Sequence, residues 1–414
     1  MPRINPTVLQ NDPLLRGVWE GLGLPECHLT GGYLRDRLLG RESVDLDLAL
    51  PGDLDHARGP AQRLAARLDT RAHALGRGSK RVWRIEAQEI KIELWPLADL
   101  SLDEDIHRRD FSINALVWRL PNGPFDDRVG GLEDLESGVL RSIKKKNLEE
   151  DPVRLVRAAR FLAQLPEFEL EPKSAVWISA LAPRLADAPR ERVGQELLKL
   201  LAAPGAELGL RTLLDLGLLP PSAPAGAKPD PAWLEVNLGA AARLGGAAPH
   251  PLPMAAREAG IAASLGLLLR AWGVPAAHAV RAYAWPREDR LHAVRAAMEL
   301  ESTVATAGAP AAKRRALIHA AGTAFPAVVT LAAAVEPDRR WRRWWRLWQR
   351  SARELVDPTP LLSGPDVADL LGLEDGPELG AAMRALIEAQ VWGKVRTTEG
   401  ARRWLTSSRG SASP

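Results

Sequence analysis

The run "VDLDLAL" at residues 44–50 sets Asp45 and Asp47 two positions apart in an otherwise apolar stretch. In an extended strand successive side chains alternate, so both carboxylates share one face while Val44, Leu46, Leu48 and Leu50 take the other. Neighbouring acids repel, and two arrangements relieve them: a solvated acidic face, or a magnesium ion held by hard oxygen ligands. A third acid, Glu93, lies in "EIKIELWPL", where Ile90, Ile92 and Leu94 alternate with Lys91, Glu93 and Trp95. On a neighbouring strand it would join the first two. Three carboxylates of this kind would hold two Mg²⁺ ions, one lowering the pKa of an attacking hydroxyl and one neutralising a leaving pyrophosphate.

Just upstream, "GGYLRDRLLG" places Gly31 and Gly32 before a helical segment that ends at Gly40. Bare backbone amides at a helix start form a phosphate cradle, or simply a tight turn. Arg35 would add a cation to a polyphosphate, while Leu34 and Leu38 face the core. Further on, "EDPVRLVRAARF" offers Asp151 as a helix N-cap and Pro152 as the first helical residue. Arg154, Arg157 and Arg160 recur every three residues on a polar face opposite Leu155 and Leu162, and such a row needs an anionic or aromatic partner. A nucleotide meets that need economically; the other reading is a helix cap followed by surface charge.

The elements that must position these residues divide by composition. With 414 residues, 46% of them apolar, the chain can build two to four domains with real cores. To about residue 140, β-type runs ("VDLDLAL", "KRVWRIEA", "EIKIELWPL", "INALVWRL") mix with helical patterns such as "ARGPAQRLAARL". Beyond it, helical periodicity takes over, interrupted by the Pro/Gly-rich loops "LLPPSAPAGAKPDPAW" and "GGAAPHPLP". Cys27 is the sole cysteine, so no intramolecular disulfide forms, and no zinc spacing occurs. A reducing cytoplasm is expected. No signal peptide is evident, and "GIAASLGLLL" stops at Arg270, short of the ~20 residues of a membrane span. Net charge is +3 with clustered basic residues, which suits an anionic partner.

Four segments, taken in order, resemble a known family. "GGYLRDRLLGRESVDLDLA", "RRDFSINAL" at 108–116, "DRVGGLEDL" at 127–135 and "EDPVRLVRAARF" at 150–161 are similar to the signatures of class II tRNA nucleotidyltransferases and bacterial poly(A) polymerases. They span about the first 200 residues. The resemblance implies an α+β fold, with a small mixed α/β head of the polymerase-β-like kind followed by an all-helical neck, body and tail. The expected divisions are 1–138 (head), 139–205 (neck), 206–335 (body) and 336–414 (tRNA-binding tail). It further implies that Asp45 and Asp47, with Glu93 as third carboxylate, bind magnesium, and that Gly32 and Arg35 hold the triphosphate, with Gly31 part of the cradle read from the turn itself. Arg109, Asp110 and Asn114 match the ribose-sensing motif, although Asp110 also reads as a buried acid paired with Arg108 or Arg109. Asp127, Gly131 and Asp134 match the segment linking head to neck and are read as mechanical.

By the same resemblance Asp151 and Arg154 read the base; the arginine row adds Arg157 and Arg160 as nucleotide-binding residues. An acid beside a guanidinium matches the pairing edges of cytosine and adenine, whereas uracil and guanine reverse that order and leave both groups unpaired. The segment at 362–405 resembles the tail of tRNA nucleotidyltransferases, which favours tRNA maturation over poly(A) synthesis. In "RRWRRWWRLWQR" at 339–350, Trp341, Trp344, Trp345 and Trp348 fall at helical spacing, better read as a core stripe than as a direct RNA contact. Between Glu93 and Arg108, complete CCA-adding relatives carry a longer flexible loop that is missing here. That shortening resembles the CC-adding branch, which uses CTP on the tRNA 3′ end and leaves the terminal A to a possible separate A-adding enzyme. A complete CCA-adding enzyme that also uses ATP, a poly(A) polymerase and a non-catalytic RNA-binding protein are the alternatives.

Overall fold

The computed structural model describes residues 7–76, 81–98, 100–121, 123–219, 223, 229–245, 250–253, 259–273, 283 and 285–409. The chain forms two compact units, Met1–Ala188 with Leu216–Pro221, and Pro189–Asp215 with Ser222–Pro414.

In the first unit the strands are β1 (Cys27–Thr30), β2 (Asp45–Leu50), β3 (Ala72–Leu75), β4 (Val82–Ala87), β5 (Ile90–Pro96), β6 (Val117–Leu120) and β7 (Phe125–Asp126). They form one sheet in the order β3-β4-β5-β2-β1-β6-β7. Every neighbouring pair is antiparallel except β2 and β5, which run parallel. That parallel pair needs a long crossover, supplied by α4 (Leu54–Arg67) and the β3–β4 hairpin. Because β2 is central, Leu46, Leu48, Ala49 and Leu50 are all buried. The expectation that Val44 begins the core face fails: it precedes the strand and is 44% exposed.

The helices of this unit are α1 (Thr7–Gln10), α2 (Pro13–Leu22), α3 (Gly32–Leu38), α4, α5 (Leu102–His107), α6 (Gly131–Ser137), α7 (Lys145–Glu150), α8 (Val153–Gln164) and α9 (Pro172–Leu181). Asp12 caps α2 and also accepts the Tyr33 hydroxyl at 2.8 Å, which fastens α3 to α2. Ser101 and Glu104 close a capping box at the start of α5. Ile106 of α5 packs with Ala115 and Val117, so the turn between α5 and β6 rests on its own small core. A two-stranded parallel pair, β8 (Val139–Leu140) and β9 (Glu169–Leu170), is the one sheet element beyond residue 138 among the described residues.

The second unit is helical: α10 (Arg190–Leu201), α11 (Ala206–Asp215), α12 (Pro231–Leu244), α13 (Gly260–Ala271), α14 (Arg287–Ala305), α15 (Ala311–Ala321), α16 (Phe325–Val335), α17 (Trp341–Val356), α18 (Gly364–Leu371), α19 (Pro377–Val391) and α20 (Thr398–Arg409). Ala311–Val335, joined by a 3₁₀ turn, has the length and apolar character of a bilayer span, but 67% of its most apolar window is buried inside the unit. Trp341 and Trp344 are fully buried and Trp345 nearly so, with Phe325 stacked on Trp344. The tryptophans are therefore a core stripe, as their spacing predicts. The fold is α+β: a mixed-sheet head followed by a mostly helical remainder.

Candidate active site

Gly31 sits at φ 78° immediately before α3. A Cβ there would stand 2.7 Å from Asp47 Oδ2. Both the dihedral and the close approach demand glycine. Gly32 is different: its φ is ordinary and a Cβ would meet only Arg35 Nη2 at 3.5 Å.

The β2–β5 ladder sets Asp47 beside Glu93 and Asp45 beside Lys91. All three predicted carboxylates thus lie on one face of adjacent strands. Burial, and next the Glu93 charge, push the Asp47 carboxyl up to about 6, against the pull of Arg109 and Lys91. Burial also works against the charge on Glu93, but Lys91 and Arg84 outweigh it and hold that carboxyl below its usual range. Arg84 donates to Glu93 Oε1 through Nε and Nη2 at 3.0 and 2.6 Å, and Lys91 Nζ reaches the same oxygen at 3.1 Å.

No trio of His, Cys, Asp or Glu is gathered into a ready metal cage among the described residues. Two carboxylates on one face nevertheless suit Mg²⁺, which is commonly held by one or two carboxylates together with the phosphates of its substrate. The chemistry of the donors agrees: Asp45 and Asp47 are hard oxygen ligands on one face of β2, and Asp47 lies beside Glu93 with no cation paired to it directly among the described residues.

Beside the ladder lies the turn after α5. Asp105 is 2% exposed and bridges two arginines, with Arg108 Nη2 at 2.8 Å and Arg109 Nη2 at 2.7 Å. Arg109 also donates from Nη1 to the Asn114 carbonyl at 3.2 Å. Asp110 is buried but pairs with neither Arg108 nor Arg109, contrary to one expectation. Those two follow the end of α5 and fold back three and four residues to Asp105. Asp110 instead accepts from Arg157 Nε at 2.6 Å, from the Phe111 N–H at 2.8 Å and from Asn114 Nδ2 at 3.3 Å. Burial would raise its carboxyl, yet Arg157 and the Phe111 amide hold it at about 2.

Arg35 is buried, forked onto Asp36 at 2.9 Å through Nε and Nη2 and joined to Asn114 Oδ1 at 2.7 Å. Helix α8 begins at Val153 with Pro152 at its N-cap position and no side-chain capping bond, so Asp151, expected as the cap, lies one residue before it and Pro152 is not yet helical. Arg154 donates to the Asn147 carbonyl at 2.9 Å and approaches Asp151 at 4.0 Å. Arg160 is buried rather than on a solvated face: its planar guanidinium lies 3.8 Å from the Phe161 ring centre. Arg35 and Arg157 lie 5.1 and 5.3 Å from the same centre.

Asp127 accepts the N–H groups of Gly131 and Leu132 at 2.8 and 2.9 Å, which fixes the start of α6. Asp134 pairs with Arg141 at 2.6 Å and accepts from Ser112 Oγ.

Residues 27–141 match the family model described as "Poly A polymerase head domain", and residues 167–228 match "Probable RNA and SrmB- binding site of polymerase A". A curated A-adding tRNA nucleotidyltransferase of Deinococcus radiodurans is 31% identical, over 94% of this chain and 97% of its own length. A CC-adding tRNA nucleotidyltransferase of Thermus thermophilus is 32% identical, over 92% of this chain and 93% of its own. The chain belongs to the tRNA nucleotidyltransferase family. Among solved structures, a CCA-adding enzyme of Bacillus stearothermophilus in complex with CTP superposes with a TM-score of 0.74, at 25% identity over 99% of both chains.

Within this tRNA nucleotidyltransferase, the head match contains Asp45, Asp47, Glu93, Arg109, Asp110 and Asn114, whereas α8 falls between the two matched segments. Sequence reasoning missed three residues of the site. Asp105 was legible in "DIHRR", where an acid stands three and four positions before two arginines. Asn147 left no local signal, because its partners are distant carbonyls; Phe161 stands one and four positions after Arg160 and Arg157, but nothing local tied it to Arg35.

Proposed function

We propose that this tRNA nucleotidyltransferase adds CMP from CTP to the tRNA 3′ end, building CC without a nucleic-acid template. The 3′ hydroxyl attacks the α-phosphorus of CTP, the α–β anhydride breaks, and pyrophosphate leaves with the hydroxyl proton released. In this reading Asp45 and Asp47 hold Mg²⁺, with Glu93 beside them; when bound, the metal lowers the hydroxyl pKa and offsets pyrophosphate charge. Gly31 lets the turn close on Asp47, and Gly32 and Arg35 line the triphosphate path. Arg109, Asp110 and Asn114 face the ribose, and Asp151 with Arg154 reads the base edge, with Arg157 and Arg160 behind. The neck, body and tail divisions at 139, 206 and 336, tRNA docking on the tail, and a cytoplasmic location belong to the same proposal.

The observation that carries the CC assignment is the connection from β5 to α5. Only residues 97–101 separate Pro96 from Leu102. The Leu97 and Ala98 amides are tied to the carbonyls of Leu50 and Gly52 at 2.9 and 2.7 Å. A segment so short and so bound leaves little freedom to reshape the pocket for a purine. A second reading, addition of the terminal A, is favoured by the full-length likeness to the Deinococcus A-adding relative. Incubation with tRNAs ending before, within and after the CC, supplied with CTP, ATP or both, separates the readings by product length. Asp45→Ala or Asp47→Ala should abolish addition while tRNA binding persists; appreciable turnover in either variant would remove the metal assignment.

A further inference from the structure

We propose that Asn147, which is not a base-reading residue, sets base choice by fixing Arg154 relative to the ribose-side turn. The inference rests on the reading of Arg154 as a base reader. Asn147 lies in α7 and is 4% exposed. Its carboxamide has two N–H donors, and both are used: Nδ2 donates to the carbonyls of His107 and Arg109 at 2.8 and 2.7 Å. Those carbonyls stand at the end of α5, where a helix leaves its last acceptors without intrahelical partners. Asn147 therefore closes α5 from outside and holds the turn from which Arg109 reaches Asp105.

The backbone of the same residue holds Arg154. Its carbonyl accepts Arg154 Nη1 at 2.9 Å, while the Asp151 carboxylate is 4.0 Å from that guanidinium. The direction of Arg154 is thus set by a neutral acceptor, which leaves other guanidinium donors for a ligand. One residue joins the sugar-side turn to the base-side arginine, so the base edge is read from a position keyed to the ribose. Edge reading depends on placement within about 0.5 Å. Loss of the carboxamide leaves two carbonyls without their donor, and the α7 backbone shifts to compensate, carrying its carbonyl with it.

The test uses the full chain with tRNA lacking its CC, and reads the ratio of kcat/KM for CTP over UTP in four proteins: wild type, Asn147→Ala, Arg154→Ala and the double variant. Asn147→Ala should lower the ratio about tenfold, with KM for tRNA unchanged. On the Arg154→Ala background it should lower the ratio no further, because the effect passes through Arg154. If Asn147→Ala fails to fold, Asn147→Ser, which keeps one donor, enters the same cycle with a smaller expected drop. A wild-type ratio in the Asn147 variant, or an equal further drop on the Arg154→Ala background, overturns the inference alone. An unchanged ratio in Arg154→Ala overturns the base-reading role and the inference with it.

Discussion

Asp110 and Arg157, 47 positions apart in the chain, are joined by a 2.6 Å bond from Nε to Oδ2 that pins the turn after α5 onto α8. With the carboxyl held at about 2 against an ordinary 3.8, the charged form is favoured by folding. Its contribution, on the order of 2 kcal/mol, is complete above about pH 4 and fades as pH falls towards 2. Asp110→Asn should therefore lower stability at neutral pH, and its deficit relative to wild type should shrink between pH 4 and 2. Urea unfolding across that range measures it. A deficit independent of pH would assign the loss to hydrogen bonding rather than to charge.

Gly31→Ala should damage catalysis more than folding. The new methyl would have to displace Asp47 Oδ2, and the positive φ adds strain. A shift of about 1 Å in a reacting group reduces turnover by about a hundredfold. Gly32→Ala, whose methyl would meet Arg35 Nη2 at an ordinary 3.5 Å and needs no positive φ, should cost less activity than Gly31→Ala. Equal effects in the two variants, measured as CMP incorporation beside thermal midpoint, would contradict the assigned packing.

The tied connection after β5 should limit the product. With ATP abundant, the protein should stop after two C residues and leave a tRNA ending in CC unextended. Replacing residues 97–100 with a longer segment from a CCA-adding relative should allow some A addition. Efficient A addition by the unaltered chain would show that the short connection does not restrict the pocket.

Helix α17 carries exposed Arg342, Arg343, Arg346 and Arg350, none in an ion pair among the described residues. Arg342 and Arg346, with Leu252, Pro253, Trp345 and Gln349, line a cavity of about 420 Å³. Two of these cations sit in the first turn, where the helix dipole disfavours them by roughly 0.3–1 kcal/mol each. Arg343→Gln removes one of these first-turn cations and Arg346→Gln an exposed charge one turn on, so the double variant should fold at least as well while binding tRNA more weakly. The slope of log affinity against log salt should fall by about 2 if each arginine meets one duplex phosphate. An unchanged slope in a filter-binding titration would place RNA elsewhere.

Much of the head was legible. The alternation in "VDLDLAL" and "EIKIELWPL" specifies half-buried strands, and the buried Leu46, Leu48, Ile92 and Leu94 bear it out. What alternation does not encode is register: the pairing of Asp47 with Glu93 depends on a parallel crossover some forty residues long. The strands "CHLT" and "AHAL" were too short to carry a pattern. Arginine spacing showed that α8 faces something anionic or aromatic, but not that Arg160 lies inside against Phe161, since a stacked guanidinium and a solvated one have the same sequence.

That phenyl ring bears on stability as well as recognition. Three guanidiniums converge on it, from Arg35, Arg157 and Arg160. Arg35 is balanced by Asp36 and Arg157 by Asp110, and the cluster is assembled from distant parts of the chain, so a nucleotide held beside it, as proposed, would bind the folded state alone. Ligand and fold are then linked, and the native state gains RT ln(1 + [L]/Kd) as the nucleotide concentration rises. If the proposed site holds, the protein should melt at a higher temperature as the nucleoside triphosphate concentration is raised, before any bond is made.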